Sequence, residues 1–215
     1  MRYFKLFCLL AAVAFFLAGC SRSDSTSSTA QTAPPESAAP ESPESSSAPV
    51  SAPPISGSLT ISFPFERQSG SASNQFAVWI ENGADGEHIR TLYATAFTAN
   101  GGWKIREQSL PVWVEQFGVK ERTSAEIDAV TGATPAPGTL TYTWDGTDES
   151  GALVAAGEYR VVVEGSLRWE NQVQYTCLLT LEDTEQSGVA EAVYSGGSDA
   201  EHGMLGAVEV TWTPE

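Results

Sequence analysis

Seven stretches between residues 59 and 212 alternate apolar and polar side chains with a period of two, and turn sequences separate them. They are Leu59–Phe63, Phe76–Ile80, Ile89–Phe97, Leu140–Trp144, Tyr159–Val163, Gln174–Leu181 and Ala207–Trp212. Successive side chains of a strand point to opposite faces, so a chain with this period folds by burying one face of each segment. The breaks include Asn82-Gly83, Asp85-Gly86, Asn100-Gly101-Gly102, Asp145-Gly146 and Ser195-Gly196-Gly197-Ser198. These residues tolerate the positive φ values that tight turns need. Seven or eight short strands spaced this way predict an all-β, immunoglobulin-like antiparallel β-sandwich over residues 58–215, long enough to enclose a core.

One stretch breaks the alternation. Ser109 to Gly118 offers Ser109 as an N-cap, Pro111 in the first turn and Gly118 as a terminator. Leu110, Trp113, Val114 and Phe117 recur at i, i+3, i+4 and i+7, the spacing of one helical face. A short helix covering the sandwich is expected here. The next stretch, Val119 to Thr139, reads as a long irregular insertion, and long loops in compact domains more often carry function than decoration.

Before the strands the chain has a different character. Arg2 and Lys5 precede an apolar run from Leu6 to Leu17, and Leu17-Ala18-Gly19-Cys20 follows. The run is shorter than the ~20 apolar residues a bilayer span requires, so residues 1–19 read as a secretory signal. The Leu-Ala-Gly-Cys end resembles the lipobox of bacterial lipoproteins. That resemblance implies cleavage before Cys20, acylation of Cys20 and a cell-membrane anchor on the extracytoplasmic face, in the periplasm or at the cell surface. Residues 20–57 then form a lipidated Ser/Pro/Ala-rich linker without aromatic residues. Such a composition buries too little surface to offset the entropy of ordering, and its prolines favour extended polyproline II.

The chain holds 11 Lys and Arg against 27 Asp and Glu. Loss of the signal removes Arg2 and Lys5 and leaves a net charge of −18. Nucleic acid is not expected as a partner, because phosphate binding needs clustered cations. Of the three cysteines only Cys177 remains for the domain, which excludes an intrachain disulfide framework. Cys177 lies in a strand pattern and reads as a small buried hydrophobe. With only His88 and His202, both in turn-like contexts, a zinc or copper site rich in His and Cys is not expected.

Trp144-Asp145-Gly146-Thr147-Asp148-Glu149-Ser150-Gly151, continuing to Gly157-Glu158-Tyr159, resembles the hairpin of flagellar hook-capping proteins and related immunoglobulin-like modules. The resemblance implies a structural element, with Trp144 and Tyr159 on the core side of paired strands.

Inside the insertion lies Asp128-Ala129-Val130-Thr131-Gly132-Ala133-Thr134. Asp, Thr and Gly all favour ordinary turns, so a plain turn is one reading. The stretch is also similar to the D-x-x-S/T-G-A-T/S motif of proteins carrying covalent FMN, such as subunits of sodium-pumping quinone reductases. There the last Thr accepts FMN from FAD as a phosphoester through an exported Mg²⁺-dependent FMN transferase. Carried over by position, Thr134 is the acceptor, while Asp128, Thr131, Gly132 and Ala133 complete the sequence the transferase recognises. Pro135 departs from the pattern, where those domains have a small or hydroxyl residue. A modifying enzyme must reach the hydroxyl, which suits a loop with small neighbours such as Gly132 and Ala133. Trp103 and Trp113 are candidates to pack on the isoalloxazine.

Across Leu59 to Trp212 the chain resembles a family of predicted periplasmic proteins of unknown function. The supporting stretches are Phe76-Ala77-Val78-Trp79-Ile80-Glu81-Asn82, His88-Ile89-Arg90-Thr91-Leu92, Leu110-Pro111-Val112-Trp113, the motif and the Trp144–Tyr159 segment. The resemblance implies neighbouring flavin transferases and membrane redox proteins. It points to a lipid-anchored electron-transfer protein bearing FMN and lacking a substrate pocket of its own. The alternative is a non-catalytic immunoglobulin-like binding or structural module at the cell surface. No Ser-His-Asp arrangement suggests a hydrolase.

Overall fold

Strand β1 (Gly57–Phe65) shows the alternation plainly, with Leu59, Ile61, Phe63 and Phe65 buried and Ser58, Thr60, Ser62 and Pro64 more open. The computed structural model describes residues 52–70, 73–168, 170–196 and 203–215. The signal, Cys20, His202 and most of the linker lie outside the described residues.

After β1 come β2 (Gln75–Asn82), β3 (His88–Thr95), α1 (Trp103–Ile105), α2 (Pro111–Gln116), α3 (Ser124–Ala129), β4 (Thr131–Gly132) and β5 (Gly138–Trp144). Then follow β6 (Gly157–Arg168), β7 (Asn171–Leu181), β8 (Gln186–Val189), β9 (Glu191–Ser195) and β10 (Glu209–Pro214). The strands form two sheets, one in the order β5-β1-β10-β8 and the other β4-β3-β2-β6-β7-β9. All seven expected strands are present, and the fold is the expected all-β sandwich. The additional strands β4, β8 and β9 are short.

The main core fills the space between the sheets. Leu59, Ile61, Phe63, Trp144, Val210 and Trp212 come from one sheet, and Phe76, Val78, Ile80, Val161, Val163 and Leu181 from the other. Side chains of this size each contribute roughly 1.5–3 kcal/mol on burial. Cys177 is 7% exposed in the same cluster, a buried small hydrophobe as expected, and burial raises its thiol pKa.

The six-stranded sheet is covered on its other face as well. Ala77, Trp79, Ala94 and Val162 pack there against Ala99, Leu110, Trp113, Phe117 and Val119. This double burial explains why seven consecutive residues of β2, Gln75 to Glu81, are buried.

Four expectations are corrected. The Val119–Thr139 insertion is irregular only in part. Thr123 caps α3 through a reciprocal box with Glu126, and β4 follows. Among the described residues the domain therefore has three short α-helices and a π-helical turn at Thr98–Gly102, and not one helix. The helix at Ser109–Gly118 buries the expected face, but its N-cap is Leu110, at φ 52° and without a side-chain cap. The cap comes from β6: the Glu164 carboxylate accepts from the Val112 and Trp113 amides at 3.2 and 2.8 Å. β3 ends at Thr95, and Phe97 is 46% exposed in the helical turn beyond it.

The Trp144–Tyr159 segment is the fourth correction. β5 pairs only with β1, while β6 pairs with β2 and β7. The flanking strands thus cross between the sheets instead of pairing with each other, and the hairpin is confined to a small turn in which Thr147 and Leu153 form an antiparallel bridge. Its core-side residues are as expected, with Trp144 and Tyr159 buried and their rings 5.5 Å apart. Internal bonds hold it: Trp144 Nε1 donates to the Thr147 carbonyl, and Asp148 Oδ1 accepts from the Ser150 and Ala152 amides.

Candidate functional site

The motif runs along the free edge of β3. Val130 accepts from the Ala94 amide at 2.8 Å, and Thr131 and Gly132 then pair with Ala94 and Thr95 as a parallel strand. Parallel pairing joins the end of α3 to the sheet edge, so the loop is docked rather than free. Asp128 sits exposed on the last turn of α3, and Thr131 and Gly132 are half-buried. Ala133 and Thr134 follow without regular structure before β5, the first exposed and the second half-buried.

Tyr93 is the clamp. Its hydroxyl donates to the Ala133 carbonyl at 2.7 Å, and its ring lies against Gly132. A methyl group at position 132 would come within 2.8 Å of Tyr93 Cε2. Glycine here permits close contact between strand and ring. Tyr93 itself is packed 5.1 Å from Phe76 and 5.2 Å from Tyr142. Burial raises its pKa to about 12, which keeps it a neutral donor. Burial also raises the Tyr142 pKa.

Both Leu92 and Tyr93 face the inter-sheet core, which strict alternation forbids. The cause is a pair of bulges. Val78 pairs with Tyr93 but Trp79 with Thr91, and Ile80 pairs with Arg90 but Glu81 with His88, so Leu92 and Ile89 are left over. An extra residue re-aims the side chains beside it.

Next to the clamp is a cavity of about 730 Å³. Arg90, Thr91 and Leu92 of β3 line one wall and Thr143 and Trp144 of β5 another, while Glu126, Ala129 and Val130 close it from the motif side. Its charges are largely committed. Arg90 Nη1 donates to Thr147 Oγ1 and to the Asp148 carbonyl, both at 2.7 Å. Arg122 pairs with Glu149 at 2.7 Å and with Glu126 at 3.5 Å, and its guanidinium lies 4.5 Å from the Phe117 ring centre.

The five motif residues form a ribbon and not a catalytic cluster. No hydrogen bond among the described residues joins Asp128 to Thr131 or Thr134. The Thr134 hydroxyl has no hydrogen-bond partner among them either, so it is uncommitted. Of the tryptophans considered for flavin stacking, Trp113 is fully buried, stacked 5.2 Å from Phe117 and hydrogen-bonded to Thr91. It is not available to a cofactor in this conformation. Trp103 is half-buried beneath Lys104 and Lys120.

His88 is less ordinary than its sequence context suggests. Its Nε2 lies 2.9 Å from Thr91 Oγ1, and its Nδ1 3.3 Å from Glu149 Oε1. Trp113 Nε1, which only donates, takes one acceptor position of Thr91. The Thr91 hydroxyl can then donate to Nε2, leaving the proton on Nδ1 facing the carboxylate. Burial lowers the His88 pKa to about 4, against the opposing pull of Glu149. Only the burial of Thr91 and Trp113 reveals this chain; nothing in the spacing of these residues does.

A loop docked along the edge of a two-sheet sandwich defines the class: a small all-β domain with a short parallel edge strand. The particular family follows from comparison with known proteins. The model for the predicted periplasmic protein family DUF2271 matches residues 57–197, and the chain belongs to that family. The family description supports an extracytoplasmic location. No curated protein and no solved structure matches the chain.

Proposed function

We propose that this is a lipid-anchored, extracytoplasmic electron carrier bearing FMN as a phosphoester on Thr134. The observation that carries the reading is the uncommitted Thr134 hydroxyl two residues beyond a strand held by Tyr93 and Gly132. The residues fit the group: the acceptor is reachable, its neighbours are small, and its backbone is positioned. In the modification, Thr134 Oγ attacks the flavin-side phosphorus of FAD. The P–O bond to the adenylate breaks, AMP leaves, and the hydroxyl proton passes to a base of the transferase. Thr134 is otherwise a weak nucleophile, so activation belongs to that enzyme. The attached flavin supplies the redox chemistry.

The chain's own part is placement. Acylated Cys20 would hold the domain at the membrane, and a ~37-residue linker gives a reach of about 30 Å. Such a tether raises the local concentration of the domain near a membrane redox partner. Co-expression of the full chain with an FMN transferase, followed by intact mass measurement, is the test. Addition of one FMN, abolished by Thr134→Ala, is expected. An unmodified protein, or an adduct that survives Thr134→Ala, overturns the reading.

A second reading, a non-catalytic surface-binding module, draws on Leu178, Val189, Val193 and Tyr194, all exposed on or beside β7–β9. Failure of flavinylation would favour it.

A further inference from the structure

We infer that the cavity between the edges of β3 and β5 is the seat of the flavin ring once FMN is attached; this rests on the flavinylation of Thr134. The first observation is adjacency. Val130 lines the cavity and stands four residues before Thr134, so their Cα atoms are at most about 14 Å apart even in fully extended chain. The ribityl phosphate arm is long and flexible enough to span such a gap.

The second observation is the bulge in β3. It sends two successive side chains inward, Tyr93 to clamp the motif and Leu92 to line the cavity. Clamp and cavity are thus consecutive residues of one strand, and their relative position is set by backbone. Bulges of this kind are over-represented beside functional sites because they re-aim side chains.

The third observation is chemical. At about 730 Å³ the cavity lies in the range of small-molecule sites. Its walls combine apolar surface from Leu92, Val130 and Trp144 with polar groups from Arg90 and Thr143. Four carboxylates also line it, those of Glu126, Asp145, Glu149 and Glu215, against two guanidiniums already engaged with protein acceptors. This balance disfavours a free phosphate or another compact anion. A flat, uncharged ring with carbonyl and N–H edges suits it, with the phosphate left outside on Thr134. Oxidised isoalloxazine has that chemistry.

The full chain, co-expressed with an FMN transferase and confirmed by mass to carry one FMN, is compared with free FMN by iodide quenching of flavin fluorescence. A ring seated in a site that covers 70–90% of a ligand should be quenched roughly fivefold less efficiently than free FMN. Visible-region circular dichroism from the ring should accompany the protection. Thr143→Arg, an exposed position on β5 that lines the cavity, should keep the FMN mass and lose both signals. A modified wild-type protein quenched like free FMN overturns the seat and leaves the attachment standing. A folded, modified Thr143→Arg protein that stays fully protected also overturns it. If no adduct forms, both readings fall, and the mass measurement separates that case from the others.

Discussion

The two faces of the six-stranded sheet are packed by different means. The inner face is apolar nearly throughout, with Phe76, Val78, Ile80, Val161 and Val163 meeting the opposite sheet. The outer face buries polar groups among its apolar ones. Thr91, Glu81 and Glu164 are all under 6% exposed there, and each has a partner. Glu81 accepts from Trp79 Nε1 at 2.8 Å and pairs with Arg160 at 3.2 Å, while Glu164 caps α2. Burial of apolar area needs only shape, whereas a buried polar group needs a specific donor or acceptor. The inner face therefore holds the domain together, and the outer face determines where the short helices sit.

The sharpest way to break this contrast is to empty each face in turn. Phe76→Ala removes a fully buried ring that touches Phe63, Phe65 and Tyr93, and it should cost ~3–5 kcal/mol. Cooperative loss of the whole sandwich, seen by chemical denaturation, is the expected outcome. Trp113→Ala removes a ring of greater size, but the sheet beneath it remains paired. Hydrogen exchange should show α2 and the Thr98–Ile105 turn opening while β2, β6 and β7 stay protected. Equal deprotection of both regions would mean that the faces form one unit.

Glu164 tests the outer face more finely. Glu164→Leu strands the amides of Val112 and Trp113, at ~1–3 kcal/mol for each unsatisfied buried group. Glu164→Gln keeps an acceptor and should lose less. Burial raises the Glu164 pKa from 4.5 to about 7, with the two amide bonds opposing. Between those values the folded state binds the proton and the unfolded state does not, so this group makes stability fall as pH rises from about 4.5 to 7. His88 acts in the opposite sense. Its folded pKa is lowered from 6.5 to about 4, so its contribution is lost as pH falls through that window. Denaturation midpoints measured across pH 4–7 should therefore be flatter in the wild type than in either single variant. Glu164→Gln should leave a rise with pH, and His88→Gln a fall.

The same division governs what was legible in the sequence. Strands such as Leu59–Phe63 and Tyr159–Val163 alternate cleanly because their inward side chains meet only apolar neighbours. The helix face was legible too, since Leu110, Trp113, Val114 and Phe117 lie at regular spacing. Its cap was not, because the acceptor is Glu164, 51 residues beyond Trp113. Ser109 looked like the cap but is fully buried, with its Oγ 2.6 Å from Thr98 Oγ1. The bulges at Ile89 and Leu92 were hidden for a similar reason. They exist only relative to a partner strand, and a single segment contains no trace of its register. The motif could be placed on a loop, yet its docking depends on a Tyr93 hydroxyl that lies 40 residues from Ala133 in the chain.

Gly132 gives the smallest expected effect on stability and the most direct test of that docking. An alanine methyl would meet Cε2 of Tyr93 at 2.8 Å, closer than side-chain carbons tolerate. The ring has little room to retreat, being packed against Phe76 and Tyr142. The chain at 131–133 is held only at an edge, so the strand is the part that should yield. Overpacking in a tight core costs ~1–3 kcal/mol, and relief at a sheet edge should bring Gly132→Ala to about 1 kcal/mol. Tyr93→Phe keeps the packing and removes only the hydrogen bond to Ala133, again ~1 kcal/mol. Both variants should loosen β4 in hydrogen exchange without exposing β1 or β6. Under the proposed flavinylation, if Gly132 instead serves only an FMN transferase, Tyr93→Phe will leave the modification unchanged while Gly132→Ala abolishes it. If the clamp is what presents Thr134, both will slow the addition of FMN, and the two variants combined will do little more than either alone, because each releases the same strand.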